Sequence, residues 1–229
     1  MIELKQVDTP EGHLYIDNEG KEYHGVTSVF KLISAVPLEL WSLRIGERGA
    51  KRISVTAAAY GHGLHKVWED ICTKYIESVE DIEERVKPRF KPEARKLLTW
   101  FLDHVETIYY TEHRVVDLNL QVAGTVDTVC KLKGRDGLAV LDLKTGKLKN
   151  TAKMQMAVYR QGVADTLGIP LTSITERVIL SCNRERKVAQ EYYFGIDDSD
   201  YIAYKNLSEF YRWSISPSSK MNLREAKKK

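Results

Sequence analysis

The sequence predicts an α/β protein in which a β-sheet is covered by helices. Amphipathic helical patterns occupy the first half of the chain, strand-like runs begin near residue 112, and a helix separates the last two of these runs from the first three. With 229 residues, of which 43% are hydrophobic and 29% charged, the chain is long enough for one sizeable core. We expect one domain over 1–229, with a hairpin and helices over 1–56, a core over 57–213 and a tail over 214–229.

The N-terminal part is expected to hold a hairpin followed by two helices. Residues 13–24 alternate in polarity around Asp17-Asn-Glu-Gly20, a typical turn sequence. Ser28 is a suitable cap for a short helix carrying Val29 and Phe30. A second helix is predicted to begin near Pro37, because proline is favoured in a first helical turn.

Two longer helices precede the strands. Residues 57–78 carry large apolar side chains at helical spacing, and at about 100° per residue His65 and Glu69 lie together beside that stripe. After Pro88 and Pro92 a second helix is expected over 93–110.

The remaining elements follow from a change in periodicity. Val, Leu and Thr predominate in the expected strands, and Gly134–Gly137 has the composition of a hairpin loop. Gly168 and Pro170 are stop signals for the preceding helix. The expected strands are 112–118, 121–132, 138–143, 175–182 and 187–194, and the expected helices are 151–167 and one from Asp197.

Two acids and a lysine lie inside apolar strands, where an unpaired charge is expensive to bury. Symmetric pairing about the Gly134–Gly137 loop places Asp127 near Leu143 or Lys144, and Asp142 shares a strand face with Lys144. Two carboxylates at such a short distance repel each other unless a cation lies between them. Oxygen ligands on a strand pair suit Mg²⁺ or Mn²⁺, and a lysine beside them suits hydrolysis of a phosphodiester.

The following segment is basic and carries two further polar candidates. Gln155 and Tyr159 are spaced i, i+4 on the expected helix, so both can face the acids. Lys147 and Lys153 belong to a lysine cluster without an acid over 144–153, which favours an anionic substrate over the alternative of a solvated loop.

The joint order of these motifs resembles the PD-(D/E)xK nuclease superfamily, in particular its RecB-like and phage-type exonuclease branch. That branch carries a histidine on an early helix, a Gly-x-x-Asp strand, an Asp-x-Lys strand and a Gln-x-x-x-Tyr helix. The matching residues are His65, Gly124 with Asp127, Asp142 with Lys144, and Gln155 with Tyr159.

The resemblance implies a restriction-endonuclease-like core, with a central mixed β-sheet flanked by helices, and an additional helical N-terminal part. It assigns metal binding to His65, Asp127, Asp142 and the Leu143 carbonyl. It assigns the positioning of the attacking water to Lys144, and the support of the site and the DNA backbone to Gln155 and Tyr159. Glu69 and Glu112 are additional acids that we expect near the metal.

The implied activity is that of a Mg²⁺- or Mn²⁺-dependent deoxyribonuclease, acting as an exonuclease on single-stranded DNA or DNA ends. Recombination, repair and phage DNA processing are the expected settings, with a recombination or single-strand-binding protein as a partner. Some relatives carry an iron–sulfur cluster on four cysteines; this chain has only Cys72, Cys130 and Cys182, so none is expected.

Two alternatives remain open from the sequence. One is a non-catalytic nucleic-acid-binding module of the same fold, and the other is a metal hydrolase acting on a phosphorylated substrate such as a nucleotide. The segment from Phe30 to Arg52, with Trp41, is either an arch or stacking platform for single strands or ordinary helix packing. Because no signal peptide or apolar span is evident, a cytoplasmic location and no membrane partner are expected.

Overall fold

The structure, a computed structural model, describes residues 2–9 and 12–216. Its eight strands form one mixed sheet that is flanked by seven α-helices within these residues. The strands are β1 Leu4–Thr9, β2 Gly12–Asp17, β3 Glu22–Gly25, β4 Val105–Asp117, β5 Val122–Leu132, β6 Leu138–Lys144, β7 Ile174–Ser181 and β8 Gln190–Phe194. The helices are α1 Val26–Val29, α2 Lys31–Ile45, α3 Glu47–Cys72, α4 Val79–Arg85, α5 Lys91–His104, α6 Thr151–Leu167 and α7 Ser199–Ile215. The predicted α/β class with a mixed sheet between helices is confirmed.

Strand β5 is the centre of the sheet, and its two edges differ. One edge pairs along its length with β4 in antiparallel orientation. The other edge pairs first with β3, at Val122 and Ala123, and then with β6 from Thr128 to Cys130. Residues 124–127 therefore lie at a fork between β3 and β6, where no strand is paired to this edge of β5 within the described residues.

Two apolar cores hold the helices against the sheet. On one side α3 and α5 bury residues such as Leu64, Trp68 and Leu97. On the other side α6 and α7 bury residues such as Met156 and Tyr204. Helices α3 and α6 thus approach the fork with fixed positions, because each is anchored in its own core.

The N-terminal hairpin is confirmed, but it carries an additional strand and its helix begins elsewhere. The sequence analysis missed β1, an edge strand that pairs with β2. The prediction that Ser28 caps a helix is wrong, since α1 starts at Val26 and makes no side-chain cap bond. The chain turns at Gly25, where a Cβ atom would lie 2.8 Å from the His13 carbonyl oxygen.

The prediction that a helix begins near Pro37 is also wrong. Helix α2 starts at Lys31 and continues through Pro37. The missing N–H of proline removes one helical hydrogen bond, and the flanking turns keep the rest.

Helix and strand bounds before the site differ from the predictions for local reasons. Helix α3 starts at Glu47, after Gly46 with a φ of 79°, rather than at residue 57. The expected helix over 93–110 ends at His104, and Val105 begins strand β4. Residues 105–111 are rich in β-branched and aromatic side chains, which favour a strand once β5 is available for pairing. Helix α4 was not predicted, although Ser78 and Asp81 form a capping box at its start.

The domain bounds were expected at 56/57 and 213/214. Helix α3 runs across the first of these positions and α7 across the second. Residues 217–229 of the expected tail lie outside the described residues. Among the described helices, none has the length and apolar character needed to cross a membrane.

Candidate active site

The fork beside β5 brings the two predicted acids together. Pairing between β5 and β6 ends at Thr128 and Leu141, so Asp127 and Asp142 are the next residue on each strand. The pairing is centred between Gly134 and Arg135 instead of at the middle of Gly134–Gly137, and Asp127 lies near Leu143 as expected. Asp127 Oδ2 accepts a hydrogen bond of 2.6 Å from the Leu143 backbone N–H, so the side chain replaces the missing strand pairing.

Three side chains from three elements form a cluster of possible metal ligands. His65 comes from α3, Glu112 from β4 and Asp127 from β5, and one donor atom of each lies within 4.8 Å of the others. His65 Nδ1 is 3.3 Å from Asp127 Oδ1. Divalent cations hold nitrogen and oxygen donors at about 2.0–2.6 Å, so donors around one ion lie at most about twice that distance apart. The donor set and its spacing therefore fit one divalent cation.

Glu112 enters this cluster through an unusual backbone conformation. Its neighbours Thr111 and His113 pair with Thr128 and Val126, which places Glu112 across from Asp127. Its φ of 48° lies in the left-handed region, which is strained for a residue with a side chain. Glu112 keeps contact with solvent, yet desolvation in the site and then the charge of Asp127 raise its pKa to about 7.

The second part of the site is a hydrogen-bonded chain that starts at Lys144. Its Nζ lies 2.6 Å from Asp142 Oδ2 and donates a hydrogen bond of 3.0 Å to Gln155 Oε1. Gln155 Nε2 in turn donates to the Tyr159 hydroxyl oxygen at 2.9 Å. The i, i+4 spacing on α6 aligns these two side chains over the end of β6.

Gly124 explains part of the sequence motif in physical terms. A Cβ atom at this position would lie 2.5 Å from Tyr159 Cε1, so the tyrosine ring crosses β5 where a side chain is missing. The fork therefore needs glycine three residues before Asp127 to admit Tyr159.

Charges of opposite sign in the site counteract the effect of burial on one another. Burial lowers the pKa of Lys144, but the ion pair with Asp142 outweighs it and the net shift is upward. Complete burial raises the pKa of Asp142, and the Lys144 ammonium opposes that shift. Burial likewise lowers the pKa of His65, but Asp127, Asp142 and Glu112 together outweigh it, so the net shift is upward. The imidazole therefore takes up a proton readily when no cation competes for it.

Not every predicted residue belongs to the cluster of His65, Glu112 and Asp127. Asp142 faces Lys144 and is not one of the three mutually close donors. Lys153 lies over the Phe194 ring, 5.6 Å from its centre, away from the fork. Glu69 is held by Lys66 at 3.0 Å and is not part of the donor cluster.

A large cleft opens beside the site. Its volume is about 1010 Å³, and the residues that follow Lys144, including Thr145 and Lys147, line one wall. The start of α3 and the β7–β8 loop form the other walls, with Arg52, Tyr60, Arg184 and Arg186. Arg52 ends the Phe30–Arg52 segment that the sequence analysis considered, but Tyr60, Arg184 and Arg186 were missed as lining residues. The two arginines of Asn183-Arg-Glu-Arg186, between two expected strands, were a signal that could have indicated them.

The chain matches the family model of the PD-(D/E)XK nuclease superfamily over residues 29–212. It belongs to this superfamily. Membership of the PD-(D/E)XK superfamily indicates a metal-dependent nuclease with a nucleic-acid substrate, in agreement with the donor cluster at the fork. Among solved structures, the crystal structure of SSO0001 has 13% sequence identity and a TM-score of 0.32, over 66% of this chain and 76% of that chain. A search of curated proteins finds no match.

Proposed function

We propose that this PD-(D/E)XK protein is a Mg²⁺- or Mn²⁺-dependent deoxyribonuclease of the RecB-like and phage-type branch, acting as an exonuclease on single-stranded DNA or DNA ends. Recombination, repair or phage DNA processing is the setting that this activity serves, with a recombination or single-strand-binding protein as its partner. The motif order His65, Gly124 to Asp127, Asp142 to Lys144 and Gln155 to Tyr159 supports this branch.

The observation that carries the proposal is that two different sets of side chains meet at the fork. The donor cluster of His65, Glu112 and Asp127 lies on one side, and the Lys144–Asp142 ion pair lies on the other. Hydrolysis of a phosphodiester needs a divalent cation, a water molecule and a positive charge close to one phosphate. The fork supplies residues for each of these needs.

The metal ligands in this proposal are His65, Glu112 and Asp127, with Asp142 and the Leu143 carbonyl beside them. When bound, the divalent ion polarises the phosphate and lowers the pKa of water. Before the ion binds, His65 and Glu112 must each lose a proton, because only the neutral imidazole and the ionised carboxylate donate to a cation. Asp127 is fixed in advance by the N–H of Leu143.

Lys144 provides a positioned cation. An ammonium group has three N–H donors. Gln155 accepts a hydrogen bond from one of them, and Asp142 forms an ion pair with the amine. The ammonium can therefore also donate to a phosphate oxygen or to the attacking water. Since the pKa of Lys144 is raised by Asp142, the amine keeps its proton and stabilises negative charge in the transition state.

The proposal is tested by incubating the protein with end-labelled linear DNA and with covalently closed circular single-stranded DNA, each with Mg²⁺, Mn²⁺ or EDTA. We expect release of short labelled products from linear DNA with either metal, and none with EDTA. Circles should survive, because an exonuclease needs an end. Rapid cutting of circles would remove the exonuclease assignment, and intact linear DNA under every condition would remove the nuclease itself.

A further inference from the structure

The cleft beside the fork is strongly cationic. Among the residues that the structure describes, five basic side chains and one acid, Glu185, line it. None of the five forms an ion pair with a carboxylate within the described residues, whereas Arg85, Arg95 and Arg177 elsewhere do. The five are Arg52, Arg89, Lys147, Arg184 and Arg186. Uncompensated cations in a concave surface favour an extended anionic ligand.

Three of these arginines lie on aromatic rings. The Arg184 guanidinium lies 4.4 Å from the centre of the Tyr60 ring, and Arg89 lies 4.5 Å from that of Phe90. The Tyr60 and Phe90 rings contact each other with centres 5.5 Å apart. Arg186 donates a hydrogen bond of 3.0 Å to the Tyr192 hydroxyl oxygen. These contacts orient flat cationic groups inside the cleft before any ligand arrives.

A glycine keeps this arrangement in place. A Cβ atom at Gly63 would lie 2.1 Å from Phe90 Cζ, so Phe90 packs directly against the backbone of α3. The Phe90 ring is buried, and it packs against the Tyr60 ring. Tyr60 lies five residues before His65 on α3, so the same helix carries one wall of the cleft and one member of the donor cluster.

We infer that this cleft binds a single strand of DNA that leads to the scissile phosphate, an inference that rests on the proposed nuclease function. Bases of a duplex cover one another's faces, so side chains that stack inside a cleft are useful only for unpaired bases. Arg184 and Arg186 contact backbone phosphates, and the Tyr60 ring, on which Arg184 lies, provides the stacking surface for a base. Ser181, which pairs with Lys144 across β6 and β7, and Thr145, the residue after Lys144, both line the cleft, so the cleft begins next to the amine of the site.

The test measures binding apart from cleavage. Labelled oligonucleotides of equal length, one single-stranded and one a blunt duplex, are titrated with the protein in EDTA and followed by fluorescence anisotropy at several salt concentrations. We expect the single strand to bind at least about ten-fold more tightly than the duplex. Each phosphate contact on a single strand contributes about 0.7 to the slope of log affinity against log salt. The Arg184→Ala, Arg186→Ala double variant should therefore bind at least about ten-fold more weakly, with a slope reduced by about 1.4.

The matched control is Arg135→Ala. Arg135 also lies over a tyrosine, 4.8 Å from the centre of the Tyr193 ring, but it belongs to the loop at the opposite end of β6 and does not line the cleft. Its replacement should leave affinity and slope unchanged. A Tyr60→Leu variant should lose about ten-fold in affinity with an unchanged slope, because it removes stacking and no charge.

Equal binding of duplex and single strand, or equal effects of the double variant and Arg135→Ala, would overturn the inference. These outcomes are separable from a failure of the nuclease assignment. If the protein cleaves DNA while the double variant keeps full affinity, only the cleft assignment falls. If no DNA is cleaved but the single strand binds with the expected arginine dependence, the cleft assignment stands and the catalytic one falls.

Discussion

The two halves of the candidate site are built in opposite ways. The half formed by His65, Glu112 and Asp127 gathers two acids that repel each other and an imidazole that takes up a proton beside them. The half formed by Asp142, Lys144, Gln155 and Tyr159 is a continuous chain of ion pair and hydrogen bonds. The first half reaches its favourable state only when a cation binds, while the second is organised by the fold alone. This difference separates residues whose loss changes metal affinity from residues whose loss changes the rate.

Replacement of Lys144 should give the largest effect and should leave the donor half intact. We expect Lys144→Ala to lower kcat by about 10²–10³-fold or more, because a preorganised cation is lost from the transition state. Asp142, whose pKa burial already raises, then takes up a proton instead of remaining as an unpaired buried charge. Mn²⁺ affinity, measured by calorimetry, should change little.

Lys149→Ala is the control for this change, since Lys149 is an exposed lysine of the same loop. Full activity in Lys144→Ala, or a loss of activity that Lys149→Ala matches, would contradict a catalytic role for the amine.

Replacement of Asp127 should act on the other half. Asp127→Asn keeps an acceptor for the Leu143 N–H but removes the negative charge shared with His65 and Glu112. We expect Mn²⁺ affinity to fall by at least about ten-fold, as it does when groups that support a metal are replaced. Asp70→Asn, which breaks an ion pair with Lys66 on the same helix as His65, should leave the affinity unchanged. Unaltered calorimetric titrations of Asp127→Asn would exclude Asp127 as a ligand.

The pH dependence of metal binding tests the half formed by His65, Glu112 and Asp127 in the unmodified protein. The pKa of Glu112 is raised to about 7, so below pH 7 a proton competes with the cation and above pH 7 it does not. Mn²⁺ affinity should therefore rise with pH and fall by roughly five-fold from pH 7 to pH 6 through this group alone. His65, whose pKa is also raised, adds to the change in the same direction. Glu112→Gln should make the profile shallower; an identical profile would place Glu112 outside the metal site.

The end of the hydrogen-bonded chain should give the smallest effect. Tyr159→Phe removes only the bond from Gln155 Nε2, which is worth about 0.5–1.5 kcal/mol, so we expect kcat to fall by a few fold. Because Gln155 and Tyr159 act on Lys144 in series, the Gln155→Ala, Tyr159→Phe double variant should be less impaired than the product of the single effects. Additive effects in this cycle would show that the two residues act separately.

The parts of the site that follow local rules were predictable from the sequence. Strand β6 and helix α6 have clear periods and stop signals, so the shared face of Asp142 and Lys144 and the alignment of Gln155 with Tyr159 could be inferred directly. Glu112 was named only as an additional acid, because its place opposite Asp127 depends on where β4 begins and on a left-handed residue within a strand. Neither feature has a signal in the local sequence.

The path of a loop was the other feature that the sequence could not supply. Lys147 and Lys153 were treated alike because they belong to one basic run. The turn into α6 separates them, so that Lys147 lines the cleft and Lys153 lies over Phe194. The edge strand β1 was missed for a related reason: its short mixed sequence becomes a strand only through pairing with β2.

The pairing of β3 with β5 has a consequence for how the enzyme is made. His24 leaves the ribosome long before Val122, yet the two residues are partners in the sheet. The hairpin can therefore pair with β5 only after more than half of the chain has been synthesised. Contacts between residues so far apart in sequence also form slowly. Strand β3 of the hairpin forms one side of the fork. In a newly synthesised molecule the fork is therefore completed in a late folding step.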